Sequence, residues 1–431
     1  MIDLVIVGKV YLDGRIEEAA IGIDEGKIVS VTKPAHAPSA EKKLILESDE
    51  LALPGMVDMH VHLRDLNQSY KEDWYTGTLS ALRGGVTLVG DMPNNDPPIT
   101  SLSRLRHKLE IAESKALVDF ALYCGIPENP IEIPEIKRIA CGFKAYPEDY
   151  ERLWRIFDLL KGSLLVVHAE DPEVIEERRR SLGRSPRLED HAEIRPREAE
   201  LRAVERLLNA ARGKSLRMHF THLSLGGSIS RTVSARLDGE DITCDVTLHH
   251  ALLSSDLLRR LGGIAKVNPP LRSMEDVRVV FNAIKSGCVD AIVSDHAPHL
   301  LEEKLREDYD SVPPGFPGLE IYLPIILTLI LERRLPLQAI DLYSKNPARI
   351  LGVGKGVISP GVDADITIAR LGVEKRINAS SFSSKAKYTP FEGWVAKASI
   401  TKVFLRGVLA LEEGDIMVSR GFGRNAYRPR D

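Results

Sequence analysis

Leu53-Pro54-Gly55-Met56-Val57-Asp58-Met59-His60-Val61-His62 is a largely apolar run that breaks off in a His-x-His pair. Histidines at i and i+2 on a β-strand project from the same face, so both imidazoles can reach one point in space. Alone the pair is weak evidence, because it also arises on plain strand surfaces. Its weight comes from a pattern that recurs along the chain. Lys144 closes Ile139-Ala140-Cys141-Gly142-Phe143, His168 closes Leu164-Leu165-Val166-Val167, His222 follows Met218-His219-Phe220-Thr221, and Asp295 follows Ala291-Ile292-Val293-Ser294. Polar groups at the carboxyl ends of successive apolar runs mark the face on which a (β/α)8 barrel carries its catalytic residues.

Working outward, short β-branched runs at 56–60, 86–91, 118–123, 139–144, 164–168, 218–222, 241–246 and 290–294 predict eight strands. Helical periodicity falls between them at 70–83, 101–114, 150–160, 196–211 and 274–286. This alternation predicts an α/β chain built on a TIM-type barrel. Residues 1–54 read differently, as period-2 runs split by Asp-Gly and Glu-Gly turns, and the same texture returns at 357–368 and 401–411. The expected organisation is a barrel over 55–344 and a small composite β-sandwich domain assembled from both termini, 1–54 and 345–431. The polar stretch 171–193 and the segment 300–317 are expected to be loops over the active face.

Composition narrows the function classes. A net charge of −4 and a pI near 6.3 offer no basic field for nucleic acid. The most apolar stretch, 321–331, is interrupted by Pro324 and is too short to span a bilayer. No signal-peptide pattern opens the chain, so the expected location is the cytoplasm. Cys124, Cys141, Cys244 and Cys288 form no Cys-x-x-Cys pair, which argues against a zinc knuckle or a disulfide framework.

Four imidazoles and a carboxylate suit a borderline-soft divalent ion, zinc first, and are numerous enough for two ions sharing a bridge. Lys144 is the unusual member, since an ammonium binds no metal. Taken alone it reads as a barrel-mouth lysine paired with an acid. In a metal-lined pocket, however, a deprotonated lysine can add carbon dioxide and become an anionic bridging carbamate.

The motifs His60-Val61-His62-Leu63-Arg64, Asp91-Met92-Pro93-Asn94, Gly142-Phe143-Lys144-Ala145-Tyr146, Val167-His168-Ala169-Glu170-Asp171, Thr221-His222-Leu223-Ser224, Lys266-Val267-Asn268-Pro269-Pro270-Leu271-Arg272 and Ser294-Asp295-His296-Ala297-Pro298-His299 together resemble the amidohydrolase superfamily. Within it they are most similar to the dihydroorotases of the long, barrel-plus-sandwich type. The resemblance implies two zinc ions per chain, bridged by carboxylated Lys144 and a hydroxide. His60, His62 and Asp295 would hold one ion and His168 and His222 the other, with Asp295 also the catalytic proton carrier. It further implies that Arg64, Asn94 and His299 bind a substrate carboxylate, while Asn268, Pro314 and Gly315 contact the ring. Three of these also have a plainer reading: Arg64 as an ordinary salt bridge, Asn94 and Asn268 as turn residues.

The implied activity is reversible hydrolysis of L-dihydroorotate to N-carbamoyl-L-aspartate, a step of pyrimidine synthesis. An allantoinase or dihydropyrimidinase shares the ligands, and a non-catalytic scaffold relative would be expected to lose them. The implied partners are a small-molecule substrate and a second copy in a homodimer, with association with aspartate transcarbamoylase also open, and neither nucleic acid nor membrane. The pattern departs from the family at Asp65-Leu66-Asn67 and at Leu248, and neither departure removes a ligand.

Overall fold

A computed structural model describes residues 1–427. Eight parallel strands follow one another in chain order around a barrel: Met56–Val61, Val86–Asp91, Asp119–Gly125, Gly142–Ala145, Leu164–Val167, Arg217–Phe220, Ile242–Thr247 and Ala291–Val293. Strands covered on both faces have no solvent side, which is why they read as near-continuous apolar runs. All residues of the first three barrel strands are buried. The ends meet through side chains as well as backbone. His62 N donates to His296 O at 2.8 Å, and Asp58 accepts from Ser294 N at 3.1 Å and from the Tyr343 hydroxyl at 2.8 Å.

The predicted helices occur with shifted ends, each for a local reason. The first begins at Trp74 rather than 70, because Asp73 caps it by accepting from Thr76 N at 2.9 Å. The stretch predicted as 150–160 is α-helical only over Tyr150–Ile156 and tightens to a 3-10 turn over Phe157–Leu160. The expected loop at 171–193 contains the helix Pro172–Ser181, started by Asp171 as cap and Pro172 at its first turn. Only Val174 of that helix is buried, so it carries no apolar stripe from which a helical period could be read. The segment 300–317 likewise holds two short helical turns, Leu301–Lys304 and Tyr309–Ser311.

The remaining strands form one mixed sheet. Glu50–Pro54 pairs antiparallel with Ile366–Arg376, Ala52 facing Ile368, and this pairing joins the early strands to the late ones. On the early side lie Ile2–Leu12, Arg15–Asp24 and Lys27–Thr32; on the late side Val395–Leu405, Val408–Glu412 and Asp415–Ile416. Ile6, Ile21, Ile23, Ala52, Ile366, Ile368 and Phe404 share its apolar core.

A buried ion cluster ties sheet to barrel. Lys355 Nζ lies 2.8 Å from Asp119, on a barrel strand, and 3.0 Å from Asp363, and it also pairs with Asp365. Lys355 is only 3% exposed, and the three carboxylates raise the pKa of its ammonium above the lysine range despite burial. Removing one partner from such a cluster strands charge in a low dielectric. Lys355→Met is therefore expected to lower stability by about 3–5 kcal/mol, read as a fall in the urea unfolding midpoint.

Candidate metal centre and substrate cavity

His60 lies on the first barrel strand and His62 one residue beyond it, while Lys144 is inside the fourth strand. His168, His222 and Asp295 follow their strands by one or two residues. The loop starts are bent. Arg64, His222 and Asp295 all adopt left-handed backbone conformations, with φ of 57°, 43° and 48°. Non-glycine residues hold such angles at a cost of about 1–3 kcal/mol each, and do so where the surroundings overdetermine them.

Hydrogen-bond bookkeeping shows what the first group of ligands lacks. Thr221 donates its hydroxyl to Asp245 at 3.0 Å, so it accepts from His60 Nδ1 at 2.5 Å. Asn94 Oδ1 lies 2.6 Å from His62 Nδ1 and likewise accepts its proton. Both Nε2 atoms then carry lone pairs, and both face Asp295 Oδ1, at 3.4 and 3.1 Å. Three acceptors converge, with their ligating atoms mutually within 4.8 Å. A cation seated among them would satisfy all three acceptors, and neutral imidazoles with a carboxylate are what a divalent metal selects. Burial keeps the His60 and His222 imidazoles well below the ordinary histidine range, with nearby Lys144 and His168 adding to the effect, so neither competes as a proton carrier.

The second group lies beside the first. The ring centroid of His222 is 5.1 Å from that of His60 and 4.7 Å from that of His168. His168 Nε2 donates to Glu170 at 2.7 Å, leaving Nδ1 as the free lone pair. His222 Nδ1 is buried without a hydrogen-bond partner, and so is Lys144 Nζ. An unpartnered buried amine is costly when charged. Burial accordingly pushes Lys144 down to about 7, against the opposing pull of Asp245 and Asp295.

These groups form the floor of a cavity of about 480 Å³. Arg64, Asn94, Asn268, Pro314 and Gly315 line its wall, as does every candidate ligand except Lys144, which sits beneath. Asn268 Oδ1 is buried and unpartnered, an acceptor available to a ligand N–H. Gly315 is fixed in that wall, its N–H donating to Lys266 O and its carbonyl accepting from Lys304. A side chain there would collide with Ala297 at 2.6 Å, on a backbone whose φ is +124°. His299 stands behind Arg64, with Nε2 3.0 Å from both Arg64 Nη2 and Pro314 O.

Sequence reading missed Arg195 and Tyr146, both of which line the cavity. Arg195 is bound to Glu170 by contacts of 2.5–3.1 Å, and this pairing drives the Glu170 carboxyl far below its usual range against the cost of burial. Glu170, two residues after His168, was the available signal, since a carboxylate so buried requires a cation. Asp245 was missed as well. It accepts from Thr221 and from the backbone of His222, and lies 2.7 Å from His219 Nε2, so one carboxylate orients ligands of both groups.

This donor set and barrel define a class. A model of the amidohydrolase family matches residues 51–154 and 158–410, and the chain belongs to that family. Among curated relatives, it is 35% identical over 410 residues to the dihydroorotase of Methanothermobacter thermautotrophicus, with 93% of each chain covered. It is 34% identical over 427 residues to that of Pyrococcus furiosus, covering 96% of this chain and 94% of the relative. The L-hydantoinase (dihydropyrimidinase) from Arthrobacter aurescens superposes with a TM-score of 0.94 at 28% identity, covering 99% of this chain and all of that one.

Asp245→Asn swaps an acceptor-only group for one that presents an N–H to three donors. We expect bound metal to weaken roughly 10–100-fold with the fold intact, measured as metal retained after dialysis alongside circular dichroism.

Proposed function

We propose that this chain is a zinc-dependent dihydroorotase, interconverting L-dihydroorotate and N-carbamoyl-L-aspartate in the route to pyrimidines, in the cytoplasm and as a homodimer. One observation carries the reading: a buried arginine, Arg64, stands in the same cavity wall as the convergent His60, His62 and Asp295. A fixed guanidinium suits a carboxylate, which dihydroorotate has and a neutral cyclic amide lacks. The identity to curated dihydroorotases supports the same choice.

His60, His62 and Asp295 would hold one zinc ion and His168 and His222 the other, with Lys144 as a carbamate between them. When bound, such a pair lowers the pKa of water and polarises a carbonyl. The rest is the work of the chain. Arg64 grips the substrate carboxylate, and Asn268 Oδ1 accepts from a ring N–H, so the scissile amide is presented to the cavity floor. Asp295 takes the proton of the attacking water as the C–O bond forms. It returns that proton to the ring nitrogen as the C–N bond breaks, and reverses both transfers in ring closure. Asn94, bonded to His62, couples the orientation of that ligand to the carboxylate end of the cavity.

The deciding assay compares L-dihydroorotate, allantoin and dihydrouracil on the zinc-loaded protein at matched concentrations, with metal counted on the same sample. Preference for dihydroorotate with about two ions per chain is expected; turnover only of a neutral ring would overturn the substrate and leave the metal site. Lys144 adds a pH dependence. Its carbamate forms only from the neutral amine, which increases as pH rises through about 7. Activation of stripped protein by zinc under a fixed partial pressure of carbon dioxide, which holds dissolved CO2 constant across pH, should therefore be roughly tenfold faster at pH 8 than at pH 6. A flat profile would remove Lys144 from the bridge.

A further inference from the structure

Lys71 and Glu303 flank His299 behind Arg64, and none of the roles above employs either of them. Lys71 Nζ lies 3.2 Å from His299 Nδ1 and 3.1 Å from Glu303 Oε1. Its side chain is 11% exposed and that of Glu303 14%. Glu303 is anchored in turn by Leu300 N, which donates to Oε2 at 3.0 Å. We infer that Lys71, held by Glu303, fixes the tautomer of His299 and thereby keeps Arg64 free to bind a carboxylate.

An ammonium has donors only, so the nitrogen it faces must offer a lone pair. His299 Nδ1 is therefore the acceptor. The alternative, Nδ1–H donating to Glu303 Oε2, would have to span 3.8 Å, beyond hydrogen-bond reach. The proton sits on Nε2, where Pro314 O accepts it at 3.0 Å. Arg64 Nη2 lies equally close to that nitrogen, yet a guanidinium also donates only. His299 Nε2–H is thus satisfied by Pro314 O, and the Arg64 N–H that faces it 3.0 Å away finds no acceptor there. An anionic oxygen beside Arg64 would accept from it; a neutral ring edge would not satisfy the guanidinium as well.

Without Lys71 the balance changes. Nδ1 is then free to take the proton toward Glu303, and Nε2 becomes an acceptor 3.0 Å from Arg64. The arginine would bond to His299 instead of to substrate. The Lys71–Glu303 pair carries no net charge, so it acts by setting hydrogen-bond direction rather than by adding field. Lys71 and Glu303 are positioning residues, and only the carboxylate half of this inference rests on the dihydroorotase reading.

The test uses the full-length, zinc-loaded protein. Two-bond 1H–15N correlations of 15N-histidine protein report the ring tautomer, with the His299 signals assigned by their loss in His299→Asn. The Nε2–H form is expected in the parent protein, and a shift toward Nδ1–H in Lys71→Met. In kinetics, Lys71→Met should raise KM for L-dihydroorotate about tenfold with kcat within about twofold, and Lys71→Arg should restore most of the loss. An Nδ1–H tautomer in the parent, an unchanged tautomer in Lys71→Met, or a fall in kcat at constant KM would each overturn the inference. If the parent protein turns over no dihydroorotate, the functional reading fails by itself, and the tautomer measurement alone decides the role of Lys71.

Discussion

Lone pairs that point at one another repel, and the mouth of this barrel is built around such a meeting. The Nε2 atoms of His60 and His62 converge with Asp295 Oδ1 because Thr221 and Asn94 have already taken the protons from the other side of each ring. With Asn94 Oδ1 turned to His62 and Thr221 tied to Asp245, both rings hold that convergence. A cation does relieve it. The geometry of the centre is thus decided one layer out, by groups that touch no metal, and the strained backbone at His222 and Asp295 is tolerated because that outer layer holds it.

The outer layer follows one logic throughout. The buried carboxylates beneath the cavity are matched by cations: Glu170 by Arg195, Asp91 by Lys108, Glu200 by Arg272. Lys108 shows what such pairs accomplish. It is fully buried, pairs with Asp91, and also donates to Met92 O and Asn95 Oδ1, which fastens the turn bearing Asn94. Asn95 in turn donates to the Arg64 carbonyl, which ties together the loops after the first two strands. Lysines 266 and 304 do the same for the opposite wall with backbone carbonyls as acceptors, holding the turn around Pro314 and Gly315. Buried pairs of this kind contribute little net stability compared with apolar packing, but they set positions to a fraction of an ångström.

Much of this was legible in the chain. The eight barrel strands stand where short apolar runs stand, because a parallel strand covered on both faces leaves no polar alternation to confuse the reading. The candidate ligands fall at or near the carboxyl ends of those runs, the face of the barrel on which the cavity opens. What escaped reading was whatever depends on an exposed or irregular backbone. The helix Pro172–Ser181 was hidden by its own polarity, and the first turn of the segment from 70 was lost to a cap at Asp73.

From the residues themselves came the barrel, the late return of the chain into a mixed sheet, and the set of imidazoles, carboxylate and lysine worth gathering at one mouth. Those follow from periodicity and side-chain chemistry, which are local. Only the tertiary structure decided which nitrogen of each histidine faces the cavity, that Arg195 joins the wall through Glu170, and that Lys71 reaches His299 across 228 residues of chain. A tautomer is chosen by whichever donor or acceptor arrives from elsewhere in the fold, and no local pattern records which one that is.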